Sequence, residues 1–600
     1  AISLPGWHKH KKTGTRVRAR GVFPQDSYKG YPYKNIKLDG TFTDNSYNGK
    51  ASIRDKNGDV DFAGNIDFSK KVPLFDFESN IKNLNLTRLR IINDTNFHVI
   101  SGNVSIKGQG NDLDNSTGIG KITNLVYKQN DKIYRNKEIT LKSEIVDSLR
   151  QLSVLSDIAD ANISGQFLIS ELPKIADLIG QQVVPALYAS IDTIQVENQS
   201  FKFDVLVKNF QPVTDLFAPN VFVSSNTTAK GDFNSVNEQF NLQVISDSIR
   251  YQDYKFNTVV ANLKKPNDIL DLNITLDNFR TGNSFKLENL EIASLIKNDH
   301  IMPSIKWKSA DGESYGKIQG DGYWYSEDYF DLLVLPSYFH FKDRDWRITE
   351  NASLIVDSTN FNFNGVEIVN NFNEGVSIVG NISEDPKDVL KVYLDNFNLI
   401  YLNPFIGTEN TEYFGIINGS ACINNVYNQI EVVSDFYIEK LQVNEEVVGD
   451  LVVNTDWINE KKGMHIKGEL MKNNLNTFDF LGYYYPFNKK NSLDFNCLLQ
   501  NTDLAFLNPY VVGQGISGIN GKARGKVKVT GEPKAPLLEG EISLVRTGFN
   551  VNYLNTHYDF SGLMIIENND IYTDNIIEIR DEENNLAYFN GAIYHENFRD

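Results

Sequence analysis

The stretch Leu270-Asp271-Leu272-Asn273-Ile274-Thr275-Leu276 places an apolar residue at every second position and a polar one between. That period puts four apolar side chains on one face of an extended strand and the polar ones on the other. The habit spreads in both directions. Phe201-Lys202-Phe203-Asp204-Val205-Leu206-Val207 and Phe240-Asn241-Leu242-Gln243-Val244 repeat it, as do Phe361 with Phe363 and Val376 with Ile378. Asn57-Gly58, Asp311-Gly312, Asn364-Gly365 and Asn418-Gly419 fall among these runs and read as hairpin turns. Strands joined by tight turns predict an all-β, antiparallel meander rather than a doubly wound α/β sheet. Helical spacing is rare. Leu172, Ile175, Leu178, Ile179 and Val183 predict an amphipathic helix over Glu171–Val184, entered at Pro173 and stopped at Pro185. Asp147–Asp160 is a second candidate. The expectation is therefore one or two short amphipathic helices packed on the sheet.

The chain has 600 residues, of which 23% are charged and 12% aromatic, with 37 Phe and 28 Tyr. Its 2 cysteines, Cys422 and Cys497, cannot build a disulfide framework. Apolar runs such as Leu332-Leu333-Val334-Leu335 fall far short of the about 20 residues that span a bilayer. The sequence starts at Ala1 and stops at Asp600 inside a strand-like pattern, so it reads as an internal piece of a longer chain. A net charge of −18 disfavours nucleic acid as a partner. Only the opening is basic. Lys9, Lys11, Lys12, Arg16, Arg18 and Arg20 stand without an acidic neighbour, either as a polyanion-binding patch or as a solvated edge.

Internal repetition is the most informative feature. Asn396-Phe-Asn-Leu-Ile-Tyr-Leu-Asn403-Pro404-Phe-Ile-Gly407 matches Asn501-Thr-Asp-Leu-Ala-Phe-Leu-Asn508-Pro509-Tyr-Val-Val-Gly513, with the two prolines 105 residues apart. An alternating strand precedes each (Val392 and Leu394; Leu493 and Phe495). A second element, glycine followed by alternating apolar residues, begins at Gly102, Gly316, Gly419 and Gly525. No linker interrupts the pattern, which suggests a stacked array.

Several motifs imitate chemistry. Gly312-Glu-Ser314-Tyr-Gly316 has the letters of a nucleophile elbow, yet strand-like Lys317-Ile318-Gln319 follows where that motif needs a helix. Gly513-Gln-Gly515-Ile-Ser-Gly518 has the letters of a dinucleotide fingerprint, yet glycine-rich alternation follows it too. Asp55, Asn57, Asp59 and Asp61 are spaced like calcium ligands, but Gly58 and Ala63 fall where an EF-hand wants other residues. His595 reads as a strand residue rather than a base. No catalytic residue, no metal site and no cofactor is expected, and the chain does not read as an enzyme.

From Ile519 onward the wording is distinctive. It runs Gly525-Lys-Val-Lys-Val-Thr-Gly531-Glu-Pro533-Lys-Ala-Pro536-Leu-Leu-Glu-Gly540-Glu-Ile542, then Val551-Asn-Tyr553-Leu-Asn-Thr-His-Tyr558 and Ile565-Ile566-Glu567. It closes with Ile579-Arg-Asp581 and Gly591-Ala-Ile593-Tyr-His595. This resembles the C-terminal region of TamB-type translocation and assembly module proteins, in the form seen in Bacteroidetes. Tyr33–Gly40, the Leu172-Pro173 helix, Asp345-Trp346 and the two Leu-Asn-Pro repeats are similar as well, while residues 1–20 depart from the family. The resemblance implies a periplasmic β protein anchored in the inner membrane by an N-terminal segment absent from this sequence. It also implies that the C-terminal region meets a TamA-like outer-membrane barrel. The related AsmA-like, bridge-like lipid-transfer proteins curl their sheet into a U-shaped (β-taco) groove. Phospholipid transport and outer-membrane protein assembly or secretion are both associated with the family. The domain expectation is a basic segment over 1–20, a repetitive β-groove region over 21–518 with a unit of about 105 residues, and a truncated C-terminal domain starting at 519 and running to 600.

A sheet of about 50 strands, each about 10–12 residues long and about 4.8 Å from the next, cannot bury its apolar face in one compact core. It closes on itself, pairs with a second sheet or leaves a groove for something greasy. Acyl chains need only an apolar lining, so no motif marks their path. The expected lining residues are Phe203, Val205, Phe240, Leu242, Leu272, Ile274, Phe361, Phe363, Val376, Ile378, Ile542 and Leu544. As core residues of a closed sandwich the same twelve would be equally at home. A scaffold for outer-membrane proteins working by strand addition, and a repetitive surface adhesin, are the other functional readings.

Overall fold

The computed structural model describes residues 16–28, 30–43, 45–281, 285–350, 352–406, 411–488, 490–511, 515–533, 535–568 and 570–594. The chain divides into two compact units, Ala1–Ala310 and Asp311–Asp600. Within each, nearly every strand pairs antiparallel with the next in sequence. The exceptions are broken strands. Arg344–Ile348 and Ser353–Asp357 share the two long neighbours Tyr329–Phe341 and Asn360–Asn370. Among the described residues there are 38 strands and three α-helices. The strand number falls below the expected fifty because turns, loops and helical segments occupy part of the chain; the longest strands are Ile516–Glu532 and Ala535–Val551, of 17 residues each. The expected boundary between residues 518 and 519 lies inside the first of these. Arg16–Tyr28 is a strand paired with Tyr31–Thr43. Lys9, Lys11, Lys12 and His595 lie outside the described residues.

The alternation is not unbroken; it slips by one residue wherever a strand bends. In Ile81-Lys-Asn83-Leu84, Ile122-Thr-Asn124-Leu125, Leu287-Glu-Asn289-Leu290 and Leu394-Asp-Asn396-Phe397, the asparagine takes a left-handed φ of 46° to 54°. The register shifts across the first and last of these. Such bulges bend a strand and sharpen its twist. Asparagine is among the few L-residues that tolerate the conformation. The slip also keeps the next apolar residue on the original face. At four bulged positions the freed backbone N–H is accepted by a side chain from the neighbouring strand. Asn83 N donates to Ser101 Oγ, Asn396 N to Asn418 Oδ1, Lys440 N to Asp450 Oδ1 and Arg546 N to Ser561 Oγ, each at 2.8 Å. Beside the bulges lie the deepest apolar residues of the strands, including Leu125, Val259, Leu290 and Phe397.

This device corrects two of the turn expectations. Asn364-Gly365 sits inside the strand Asn360–Asn370, where it forms a bulge between Phe363 and Val366. Asn418-Gly419 is also mid-strand; Asn418 is the acceptor for Asn396. Asn57-Gly58 does lie at a tight hairpin, with Asp55 opposite Gly58. Further tight hairpins have both turn positions left-handed, in Asp147-Ser148, Asn298-Asp299, Lys342-Asp343 and Asn473-Asn474. The first of these overturns the helix expected over Asp147–Asp160. That stretch is the pair of strands Leu149–Ser156 and Ala159–Gln166.

The other helix is present, starting later. Ile169–Lys174 is a 3₁₀ turn holding Pro173, and α1 follows at Ile175–Val183. Two helices were not expected: α2, Gln211–Phe217, and the single turn α3, Asn403–Ile406. The Asn-Pro repeats both end a bulged strand and enter a helical turn. Asn403 accepts from Tyr413 N at 2.9 Å and donates to Tyr413 O at 3.1 Å. Asn508 does the same to Ile519, at 2.6 and 3.0 Å. One amide thus clamps the backbone on the far side of each turn.

Candidate functional site: an apolar face assembled across strands

Register decides whether alternating residues form a site. In the first unit Ala161, Val205, Ala229, Val244, Ala261, Ile274 and Ile292 stand opposite one another on successive strands. The neighbouring row is Ile163, Phe203, Gly231, Leu242, Leu263 and Leu272, and the next runs through Phe201, Phe233 and Phe240. All six lining candidates of this unit therefore share one face.

The second unit repeats the arrangement over a longer run. Phe361 and Phe363 pair with Ile382 and Gly380, and Val366 and Ile368 pair with Ile378 and Val376. From Val376 a single row continues through Leu394, Gly419, Phe436, Val453, Gly468, Phe480, Cys497, Val527, Gly540 and Ile566. Ile542 and Leu544 flank Gly540 on the same strand face. Glycines here make room for aromatic rings from the next strand: a Cβ on Gly468 would lie 2.0 Å from the Phe480 ring, and one on Gly231 2.6 Å from the Phe203 ring. The rings lie over backbone; polar groups enter the face where Lys265 stands opposite Phe240 and Ser294 opposite Leu272.

All twelve candidates are half-buried, none sealed and none fully exposed. Complete burial is found where a helical segment or a bulge covers the face. Ile175 and Ile179 of α1 pack on Leu152, Phe167, Phe201 and Phe233, with Phe203 and Phe240 at the margin. Leu216 of α2 packs on Leu125 and Tyr134. Tyr401, in the turn before α3, packs on Trp346, Phe397 and Ile417.

Concavities of the first unit open on the opposite, polar face. The charged residues lining one of about 1200 Å³ are Lys37, Asp39, Lys50, Asp61, Glu78 and Lys121, and those lining one of about 600 Å³ are Lys202, Asp204, Lys230, Asp232 and Lys264, each set standing among neutral residues.

Polar chemistry is engaged elsewhere. Asp55 accepts from Tyr31 Oη at 2.6 Å and Asp61 pairs with Arg54, so the calcium-like spacing is a polar hairpin. Ser314 opens a strand, with no helix after it, and Gly515-Ile-Ser-Gly518 runs into another; residues 512–514 lie outside the described residues. A chain that sequence reasoning missed joins Asp94, His98 and Tyr127. His98 Nε2 lies 2.6 Å from Asp94 and Nδ1 2.6 Å from the Tyr127 hydroxyl. Hydrogen bonds from the Asn96 backbone and then from His98 hold the Asp94 carboxyl at about 2. Both ring nitrogens of this buried histidine are occupied, so it fastens a loop to the sheet. Burial pushes the Cys497 thiol up to about 11, which leaves it a poor nucleophile. Cys422 lies on the other face, opposite Lys391 and Val433. Among the described residues no group of three or more His, Cys, Asp or Glu is placed to hold a metal ion. No helix among them is long and apolar enough to cross a membrane. Neither a protein-family model nor a curated protein matches this chain.

Proposed function

We propose that the chain binds phospholipid along its apolar sheet face and carries it between the inner and outer membranes. In this reading it is the periplasmic part of a translocation and assembly module of the TamB type, anchored in the inner membrane and meeting a TamA-like barrel. It performs no catalytic step. The observation that carries the reading is the set of continuous cross-strand rows holding all twelve candidates, each half-buried. A closed sandwich core would seal such residues, and a solvated sheet would not spend about 25 cal/mol per Å² exposing them. Acyl chains lying along the rows would cover them without needing a hydrogen-bond partner.

The test combines lipid analysis with the two native thiols. Purified without detergent, the chain should carry phospholipid detectable by mass spectrometry. Cys497, in the apolar row and already slow toward a water-soluble maleimide because its thiol is buried, should react more slowly still with lipid bound than after extraction, while the rate at Cys422 should not depend on lipid. Phe363→Asp and Ile274→Asp should abolish co-purifying lipid. A lipid-free, monodisperse protein whose Cys497 reactivity ignores added phospholipid would sink the reading. The scaffold reading, in which a client strand adds to the sheet, would then lead.

A further inference from the structure

In a chain of net charge −18, one group of cations lies against the trend. Phe222, Arg250, Lys255 and Arg280 stand directly opposite one another on four neighbouring strands of the first unit. The three cations are exposed. Among the described residues none of them has a carboxylate partner within ion-pair distance; Arg250 only lies over the Phe222 ring, at 5.1 Å. Like charges directly opposite on paired strands repel and destabilise the sheet. Elsewhere on the same polar face the fold avoids this, pairing Lys121 with Glu138 and Lys230 with Asp204.

A concavity of about 700 Å³ opens over the row. Its other wall is Pro219, Asn220 and Val221, and Asp253 is the one carboxylate lining it against three cations. Beside it, the exposed Tyr251 and Tyr254 form the end of the hairpin. On the reverse of these strands Ile249, Phe256, Phe279 and Leu287 continue the apolar face. Cationic and apolar surfaces are thus one strand thickness apart.

We infer that the Arg250–Lys255–Arg280 row is a binding site for a phosphate group. Two guanidiniums offer planar, two-pronged donation to phosphate oxygens, and the lysine between them adds a point charge. An anion seated there relieves the repulsion that the empty row carries. The phosphate belongs either to a lipid headgroup or to a free anion. Its identity as a headgroup rests on the conduit reading; the anion site itself does not.

The full chain should be titrated with inorganic phosphate by calorimetry and, separately, with vesicles of phosphatidylglycerol in phosphatidylcholine. Phosphate-free galactolipid vesicles are the comparator. Binding of inorganic phosphate assigns a free anion, and binding of the phospholipid vesicles alone assigns a headgroup. Arg250→Gln/Lys255→Gln/Arg280→Gln should weaken whichever binding is present by about tenfold or more. It should leave the melting temperature equal or higher, because a repulsion has gone. Lys255→Gln alone repeats the test with a single change. A control of equal charge, Lys202→Gln/Lys230→Gln/Lys264→Gln, should bind as the parent does. No binding by the parent, equal loss in the control, or equal binding to galactolipid vesicles overturns the inference. Loss of co-purifying lipid with phosphate binding intact would break the conduit reading and leave this one standing.

Discussion

Two strips of the same sheet chemistry end in different states. Under α1 in the first unit, Phe201 and Phe233 keep 7% and 3% of their surface exposed. In the second unit Phe436, Phe480 and Phe495, in the same kind of cross-strand row, remain half-buried. The strands alternate alike in both places. Burial is complete where a helical segment lies over the face, where a bulge folds the strand onto it, and at single positions of the second strip such as Val527 and Ile566. An apolar alternating strand is therefore ambiguous between core and lining, and only its cover resolves it.

The sharpest way to break this comparison is to truncate one ring in each strip. Phe233→Ala should cost about 3–5 kcal/mol, the usual cost of emptying a sealed aromatic site. Phe480→Ala should cost roughly half as much, since part of that ring is already in contact with solvent. Urea unfolding of the full chain, read as the shift in midpoint at unchanged slope, measures both. Equal losses would mean that the second strip is covered as fully as the first, and the lining assignment would fail there.

A smaller effect tests whether repeats in sequence are repeats in construction. Asn403→Ala and Asn508→Ala each remove two side-chain hydrogen bonds to one backbone residue, about 1–3 kcal/mol per variant. Because the clamps are alike, the two losses should agree within the scatter of the measurement. If only one variant is destabilised, the 105-residue spacing marks similar wording with different structural duty.

Much of this was legible beforehand. Alternation marked the antiparallel strands, and Leu172, Ile175 and Ile179 marked the helix near α1. The errors share a cause, which is that a local pattern can serve two geometries. Leu149, Leu152, Leu155 and Ile158 recur at a helical spacing, yet Asp147-Ser148 makes a left-handed turn that throws the chain into a hairpin. Asn-Gly suits a hairpin turn and a mid-strand bulge equally, because both need a left-handed residue. The bulges did leave a readable trace, an apolar residue, any residue, asparagine and a second apolar residue, where the alternation slips. The cationic row left none: Arg250, Lys255 and Arg280 are unremarkable along the chain, and only register brings them together. The opposite faces of Cys422 and Cys497 were hidden for the same reason.

The gentlest probe of the uncovered strip is the ionisation of Cys497. Its thiol is raised from an ordinary value of 9.0 to about 11 because the folded chain holds it against Phe480 and Val527, away from water. Unfolded, it gives up its proton near 9; folded, only near 11. The folded state thus holds the proton more tightly, and its advantage is complete below about pH 9 and fades as pH rises through about 11. Cys497→Ala removes that dependence. The difference in stability between parent and variant should therefore be constant up to about pH 9 and shrink, in the parent's disfavour, toward pH 11. The same substitution at Cys422, on the opposite face, is the control. Detergent-free phospholipid should push the Cys497 transition still higher by covering the strip as α1 covers its counterpart. A transition that ignores lipid would leave the second strip half-buried by its own strands alone, with nothing for an acyl chain to complete.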